Sequence, residues 1–467
     1  MIRSYLRIQS KHPRLLSVKA EALTRHDKDG ASHLQDILQL AVPAMLALAS
    51  VPSLNIGDTA MIGRLGVEPL AARAVGAALL GAIYWIFAFL TFGTTTLVGH
   101  QHGAREFQAC GATYVHALLL GLLGGLGISV AGLLLAPNLY RLMGAAPAVI
   151  DYGVPYFRIV ISSAPFTLIF FASVGFFRGV QDTQTPMLIA FLVSGLNLVA
   201  DYLLIYGGFG FPAMGLNGAA IAAWLAQFAG AIVSLCVFFY GTRYALYRPP
   251  KWLIKTAPVR PLLRIGHHLA VRTGALRFSL IVATSSAARM DTAVLSAHEI
   301  AFQLFMLCSD VIDGLAVAGQ ALAAKYLGAN RNDAAHRMGK TLMICGAVAG
   351  SLFAVMFLGG QEWIVPFFTK SSHVQSILSG GIFLLVALFQ PFNGIAFVLD
   401  GWLIGARDTR FLMWAMLVGA LGIFVPLSWI SLQREWGLPG IWTGVSALMM
   451  WRLATNFHRF WTRSAWM

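Results

Sequence analysis

Charge is what this chain has least of. Only 11% of its 467 residues are Asp, Glu, Lys or Arg, against 58% hydrophobic, too little to coat a soluble surface of that size, so a water-soluble globule is excluded and the bilayer is the solvent. Acids are scarcer than bases, 19 against 33. The surplus base sits in joints between apolar runs, not on one face with interleaved aromatics, which argues for membrane topology and against a nucleic-acid partner. The four cysteines, Cys110, Cys236, Cys308 and Cys345, lie far apart within or beside apolar runs. Neither a disulfide framework nor a Cys-x-x-Cys metal site fits that spacing, and they read as small hydrophobes. His100, His102 and His116 lack the paired Cys or carboxylate spacing of a metal site, and no metal is expected. The amino-terminal stretch has no apolar core of the secretory-signal type and reads as a cytoplasmic tail. Because it opens basic, carries serine and has no early acid, an organellar transit peptide is the alternative.

Long apolar runs fill the rest. Segments able to cross about 30 Å of hydrocarbon begin near Ile37, Ala71, Val115, Val154, Pro186 and Gly215, and again near Leu269, His298, Thr341, Ser376, Phe411 and Gly440, about twelve helices in all. The expected organisation of this all-α integral membrane protein is a tail over 1–36, a first lobe over 37–240, a linker over 241–268, a second lobe over 269–457 and a tail over 458–467. Base concentrates in the amino-terminal tail, in the linker with Arg243, Arg248, Lys251, Arg264 and Arg272, in the joint with Lys325, Arg331 and Arg337, beside Arg407 and Arg410, and in the final stretch with Arg452, Arg459 and Arg463. The alternate joints hold little beyond Arg64 with Arg73, Arg141, Arg289, Lys370 and Arg434. The asymmetry predicts both termini in the cytoplasm, in a bacterial inner membrane or an organellar one.

The chain repeats itself. Gly103-Ala104-Arg105-Glu106-Phe107-Gln108-Ala109 resembles Gly328-Ala329-Asn330-Arg331-Asn332-Asp333-Ala334, and Leu70-Ala71-Ala72 meets Leu295-Ser296-Ala297 at the same offset. Gly179-Val180-Gln181-Asp182-Thr183 meets Gly405-Ala406-Arg407-Asp408-Thr409 one residue further on. Six helices per copy is an even number, so the copies enter the membrane in the same direction, as parallel repeats about an axis along its normal. A cleft between two such lobes can open to either face in turn.

A carboxylate at the centre of a membrane helix costs roughly 2.5 to 3.5 kcal/mol, so each needs a reason to be there. Asn197 and Asp201 are one helical turn apart on a common face of the fifth helix. Asp58 in the first helix would complete an oxygen-rich cluster with them, able to share a proton or to ligate Na⁺. At the repeat offsets Asp58 meets Ala283 and Asp201 meets Leu427, so the cluster belongs to one lobe alone. Asp291 is out of register and reads as a loop residue at an outer helix end. A buried structural pair is the plainer reading of Asp58 and Asp201. In the second lobe Asp313, Asp400 and Arg272 are candidates for contact with substrate or ion. For Asp313 a structural salt bridge to Arg272 or Arg277 is the alternative, and for Asp400, an offset to a nearby basic joint. Arg158 and Arg277 lie in apolar runs as candidate partners for acids. Pro43, Pro52 and Pro165 are candidate kinks, and the glycines from Gly121 to Gly127 indicate close helix packing, not phosphate binding.

Four stretches carry a resemblance to a known family: Asp58-Thr59-Ala60-Met61-Ile62-Gly63-Arg64-Leu65-Gly66, Phe177-Arg178-Gly179-Val180-Gln181-Asp182-Thr183-Gln184-Thr185-Pro186, Asp313-Gly314-Leu315-Ala316, and Phe397 to Asp408 with Asp400-Gly401-Trp402 at its centre. The chain resembles the multidrug and toxic compound extrusion (MATE) transporters over about Asp36 to Trp451, in particular their DinF-like branch. The resemblance implies a V-shaped pair of six-helix bundles exporting bulky, often cationic or amphipathic compounds in exchange for H⁺ or Na⁺. A first-helix Asp with a fifth-helix Asn and Asp would carry the coupling ion, matching Asp58, Asn197 and Asp201. A sixth-helix threonine of some relatives is replaced within Ala219-Ala220-Ile221-Ala222-Ala223, which tilts the expectation from Na⁺ to H⁺. No cofactor beyond that ion is expected, and the partners are small organic substrates and membrane lipids around a monomer. A lipid-linked oligosaccharide flippase of similar architecture is the nearest rival, wanting a strongly cationic cleft. A membrane enzyme is more distant, with no nucleophile–base spacing to support it.

Overall fold

The computed structural model describes residues 30–208, 210–250 and 259–462, and among them no strand interrupts the helices beyond one bridge between Gly208 and Phe211. Eight helices are long and apolar enough to cross a membrane unaided: α1 (His33–Gly63), α2 (Val67–Gly103), α3 (Phe107–Leu142), α5 (Gln184–Tyr206), α6 (Gly215–Tyr240), α8 (Thr292–Gly328), α9 (Asn332–Phe368) and α11 (Thr409–Gln433). Two further spans are bent, α4 (Pro147–Ile161 with Ala164–Gly179) by 47° and α10 (Ser372–Leu388 with Gln390–Gly405) by 41°. In α4 the bend falls just before Pro165, whose missing N–H and bulky ring interrupt the ladder there. The set is completed by α7 (Arg260–Ala288) and α12 (Gly437–Trp461), helices of 29 and 25 residues. Both are long enough to span but more polar. Helix α7 starts at Arg260 and not near Leu269, because Arg264, His267 and His268 mask its hydropathy while Leu262, Ile265 and Leu269 bury a face at helical spacing.

The duplication is written in the backbone. The non-glycine residues Arg105 and Gln181 have positive φ, 63° and 66°, and so do their repeat counterparts Asn330 and Arg407, at 57° and 62°. The two bent spans break at corresponding places, Ser162–Ser163 and Phe389. In each lobe a glycine of the third span lies on the bent span: a methyl group on Gly121 would come within 3.0 Å of the Leu168 carbonyl oxygen, and one on Gly346 within 2.6 Å of that of Gly394. Gly121 and Gly125 thus make the expected close packing, whereas Gly127 meets nothing. Such pairs let helix backbones approach, which apolar packing in lipid rewards.

Helices α1–α6 form one lobe and α7–α12 the other. A single apolar core runs through both lobes at the end bearing the basic joints, joining Val98 and Phe177 of the first to Leu322 and Leu403 of the second. Towards the far end the core splits in two, one part around Tyr140, Phe157 and Ile205, the other around Phe305, Phe383 and Trp442. The molecule is therefore a V, closed at the basic end. Closure is nearly symmetric: a side chain on Gly103 would strike the Lys325 carbonyl, and one on Gly328 the His100 carbonyl, the repeat equivalent of the first contact. Hydrogen bonds cross there as well. Gln320 donates to the Phe92 carbonyl (2.7 Å), Gln181 to that of Ala321 (2.9 Å) and Thr96 to that of Ile404 (3.1 Å). Outward-facing leucines and aromatics such as Leu134, Leu352 and Phe367 remain exposed and suit a lipid boundary.

Candidate functional site

In the first lobe α1 packs along α5 and against the start of α2, and this brings the sequence-predicted trio together. Asn197 and Asp201 are buried on the face of α5 that meets α1. The Asp58 carboxyl lies close enough for the two acids to feel each other's charge. A cation expected in a loop joint completes the cluster. Arg73, inside α2, donates from Nη2 to Asp58 Oδ2 at 3.2 Å and from Nη1 to the Thr59 hydroxyl at 2.9 Å. Both carboxyl oxygens of Asp201, Oδ1 of Asp58 and Nδ2 of Asn197 are buried without a hydrogen-bond partner among the described residues. Tyr156 of α4 faces the same charges. Two acids thus stand side by side, one bound to Arg73 and the other with no hydrogen-bond partner among the described residues, an arrangement whose chemistry allows one proton to be shared between the carboxyls.

In the second lobe Asp400 is a buried hub, not an offset to a surface joint. Its Oδ2 accepts from Arg272 Nη2 at 2.5 Å and from Arg452, and its Oδ1 accepts from Asn456 at 2.8 Å. Arg272 and Arg452, counted from sequence among linker and tail bases, are therefore inside the protein, on α7 and α12. The expected bridge from Arg272 to Asp313 does not form, because Asp400 takes the guanidinium. Asp313 has no ion pair among the described residues and lines the same cavity as Asp400, Arg272, Arg452 and Arg178, a space of about 160 Å³ between the lobes. A neighbouring cavity of about 470 Å³ shares Trp85 and Thr273 with it and lies on the far-end side. Arg277 spans that cleft with its guanidinium 4.5 Å from the Trp85 ring. Among the described residues Arg158 pairs with no acid; it donates to the Leu133 carbonyl at 3.1 Å.

The remaining candidates have structural places. His100 bonds to the Gly405 carbonyl (2.8 Å), His102 stacks on Tyr247 and His116 bonds within its own helix. Asp291 caps α8 through the Thr292 N–H at 2.7 Å. Asp182, from the motif joining α4 to α5, accepts from the Thr185 N–H (3.0 Å), the Thr185 hydroxyl (2.8 Å) and the Tyr244 phenol (2.5 Å). Its repeat equivalent Asp408 accepts from Arg459 at 2.5 Å.

A family model described as MatE matches residues 43–203 and 274–430. The chain belongs to this family. Among its relatives are Protein DETOXIFICATION 44, chloroplastic, of Arabidopsis thaliana, 30% identical over 92% of this chain and 82% of that protein, and DNA damage-inducible protein F of Escherichia coli, 26% identical over 91% and 92%. The latter agrees with a DinF-like branch. A crystal structure of a MATE protein in the bent conformation shares the fold at TM-score 0.84 and 20% identity over 92% of this chain and 95% of that one. A MATE transporter of Vibrio cholerae does so at 0.83 and 18%, over 93% and 97%. MatE proteins are multidrug and toxic-compound efflux transporters, and this one is a multi-pass membrane protein. Within the MatE chain, sequence reasoning missed Arg73, Arg452, Arg178 and Asn456 as site residues. For Arg73 the signal was available: a lone arginine in Ala71-Ala72-Arg73-Ala74-Val75, inside an apolar run, needs an acid partner.

Proposed function

We propose that the chain is a secondary antiporter that exports organic compounds in exchange for H⁺, with its basic end and both termini in the cytoplasm. The observation that carries this reading is Asp201, whose two carboxyl oxygens are buried without a partner beside Asp58, itself held by Arg73. Such a carboxyl is satisfied by one proton, and taking it from outside releases about 2.3 kcal/mol per 100 mV of membrane potential and about 1.4 kcal/mol per unit of pH difference. The proton lets Asp201 donate to Asp58, which competes with Arg73 for the same carboxyl and loosens α1 from α2. The V then rocks about its basic end, exchanging access between the two faces and releasing substrate outward, and substrate binding from the cytoplasm returns the site to its unprotonated form. Na⁺ is disfavoured because the sixth-helix stretch Ala219-Ala220-Ile221-Ala222-Ala223 carries no threonine hydroxyl.

The test uses purified protein in liposomes with an imposed pH gradient, following lumenal pH while candidate organic compounds are added, with a Na⁺ gradient as the parallel arm. Proton movement triggered by substrate and lost in Asp58→Asn supports H⁺ antiport. A response to Na⁺ alone reassigns the ion, and full coupling in Asp58→Asn refutes the mechanism.

A further inference from the structure

The charges around the central cavity do not balance. Arg178 of α4, Arg272 of α7 and Arg452 of α12 line it together with only two acids, Asp313 and Asp400. Asp400 is already taken: Arg272, Arg452 and Asn456 occupy both its oxygens. One carboxylate shared by two guanidinium groups leaves about one positive charge over, and the Nε atoms of both arginines are buried without a hydrogen-bond partner among the described residues. Arg178 is only 9% exposed, reaches the cavity from the other lobe, and makes no side-chain hydrogen bond or ion pair among the described residues. Asp313 is the acid whose charge it feels. The space therefore carries a surplus of guanidinium from both lobes, with unused donors on each side. Trp85, Phe89, Phe92 and Phe397 supply an apolar wall beside these groups.

We infer that this cavity binds an amphipathic organic anion, its acidic head between Arg178 and the Arg272–Arg452 pair and its apolar body against the aromatic wall. Guanidinium forks match a carboxylate or related oxyanion in two-point geometry. An organic cation could meet Asp313 only by facing three arginines in a space where water screens little. An inorganic anion would leave the aromatic wall unused, whereas an aromatic acid fills it and extends towards the larger cavity. The inference rests on the reading of the chain as an exporter and names the charge of what is exported, opposite to the cationic class the family resemblance implies.

Two probes with one apolar body and opposite charges decide the matter: 2-naphthoate and N,N,N-trimethyl-2-naphthylammonium, measured by equilibrium dialysis against the full chain in lipid nanodiscs. Naphthoate should bind at least about tenfold more tightly. Arg178→Gln should weaken naphthoate by roughly 30-fold or more, as expected when one partner of a buried charge pair is removed, without strengthening or weakening the ammonium probe. Arg178→Lys should recover part of the loss. Should Arg178→Gln fail to fold, Thr273→Asp on the cavity wall should abolish naphthoate binding by bringing a carboxylate to it. Tighter or equal binding of the ammonium probe, binding of neither, or naphthoate affinity unmoved by a folded Arg178→Gln overturns the inference. Binding is read without any gradient, so the two readings fail separately. Naphthoate bound but never exchanged for protons would refute the coupling alone, and proton-driven export of the ammonium probe would refute the anion site alone.

Discussion

Replacing Asp201 with Asn tests the proposed coupling centre most sharply. With both acids ionised, Asp58, Arg73 and Asp201 sum to one negative charge, and one proton neutralises them. On the proposed mechanism the site has room for one exchangeable proton per cycle. In proteoliposomes held at zero potential, each unit of pH difference supplies about 1.4 kcal/mol per proton, a tenfold substrate gradient. Two units should concentrate substrate about a hundredfold in the acidic lumen for one proton, against about ten-thousandfold for two. Asp201→Asn should bring the ratio close to one. It should not weaken the fold, because the Asp201 oxygens make no hydrogen bonds to lose. Removing an unpaired buried carboxylate should leave stability unchanged or raise it, by about 1–3 kcal/mol. Asp58→Asn should also abolish the gradient but lower the unfolding temperature, since Arg73 loses its carboxylate. Tracer accumulation and thermal unfolding in detergent read both quantities. An Asp201→Asn protein that still concentrates substrate more than about tenfold at two pH units refutes the reasoning, as does a wild-type ratio near the two-proton value.

Asp400→Ala leaves Arg272 and Arg452 buried without their acid and should cost about 3–5 kcal/mol, seen as a lowered unfolding temperature that Asp400→Asn reproduces only in part. Gly328→Val forces a side chain against the His100 carbonyl. Export should fall at least about tenfold, and spin labels on the two basic joints should move apart. Asp182→Ala removes three hydrogen bonds at the head of α5 and should cost about 1–3 kcal/mol with the coupling ratio unchanged. The Tyr244 phenol is pushed up by burial and by the Asp182 carboxylate it bonds, so its folded pKa exceeds its unfolded one. Its contribution is complete below about pH 10 and fades as pH rises through the folded value. Tyr244→Phe should remove that alkaline loss of stability from an unfolding series.

Much of this architecture is legible in the sequence because a bilayer imposes few choices. Apolar runs of spanning length must be helices, and a repeated joint such as Gly103-Ala104-Arg105 must close equivalent spans. The acids could be ranked because Asp58, Asn197 and Asp201 stand in runs where every polar group needs a reason. The basic residues could be ranked only in part. Arg73 inside an apolar run and Arg272 stood out, but their acid partners did not, and Arg452 lies near the end of an apolar stretch, where an arginine facing solvent and one reaching inward look alike along one dimension. Their destinations depend on which helices become neighbours. The Arg272–Asp400–Arg452 group joins α7, α10 and α12, three elements far apart in the chain, and no local spacing encodes it. The polar start of α7 was hidden for a related reason, since hydropathy averages away a narrow buried stripe formed by Leu262, Ile265 and Leu269.

The meeting of Gly103 with Lys325 and of Gly328 with His100 has a consequence for how the V can move. Where two surfaces interlock by long side chains, separating them means re-sorting rotamers and opening voids. Here the partners are glycines against carbonyl oxygens, with Gly99 against Ala324 alongside. In the proposed rocking motion these glycine contacts part without rotamer changes, while the Gln181 and Gln320 hydrogen bonds across the seam must break, and water takes over each carbonyl as it is uncovered. Because each of these glycine contacts has a mirror in the other repeat, a tilt of the kind proposed would open one and its twin by the same amount, so the seam would unfasten as a unit and refasten in register.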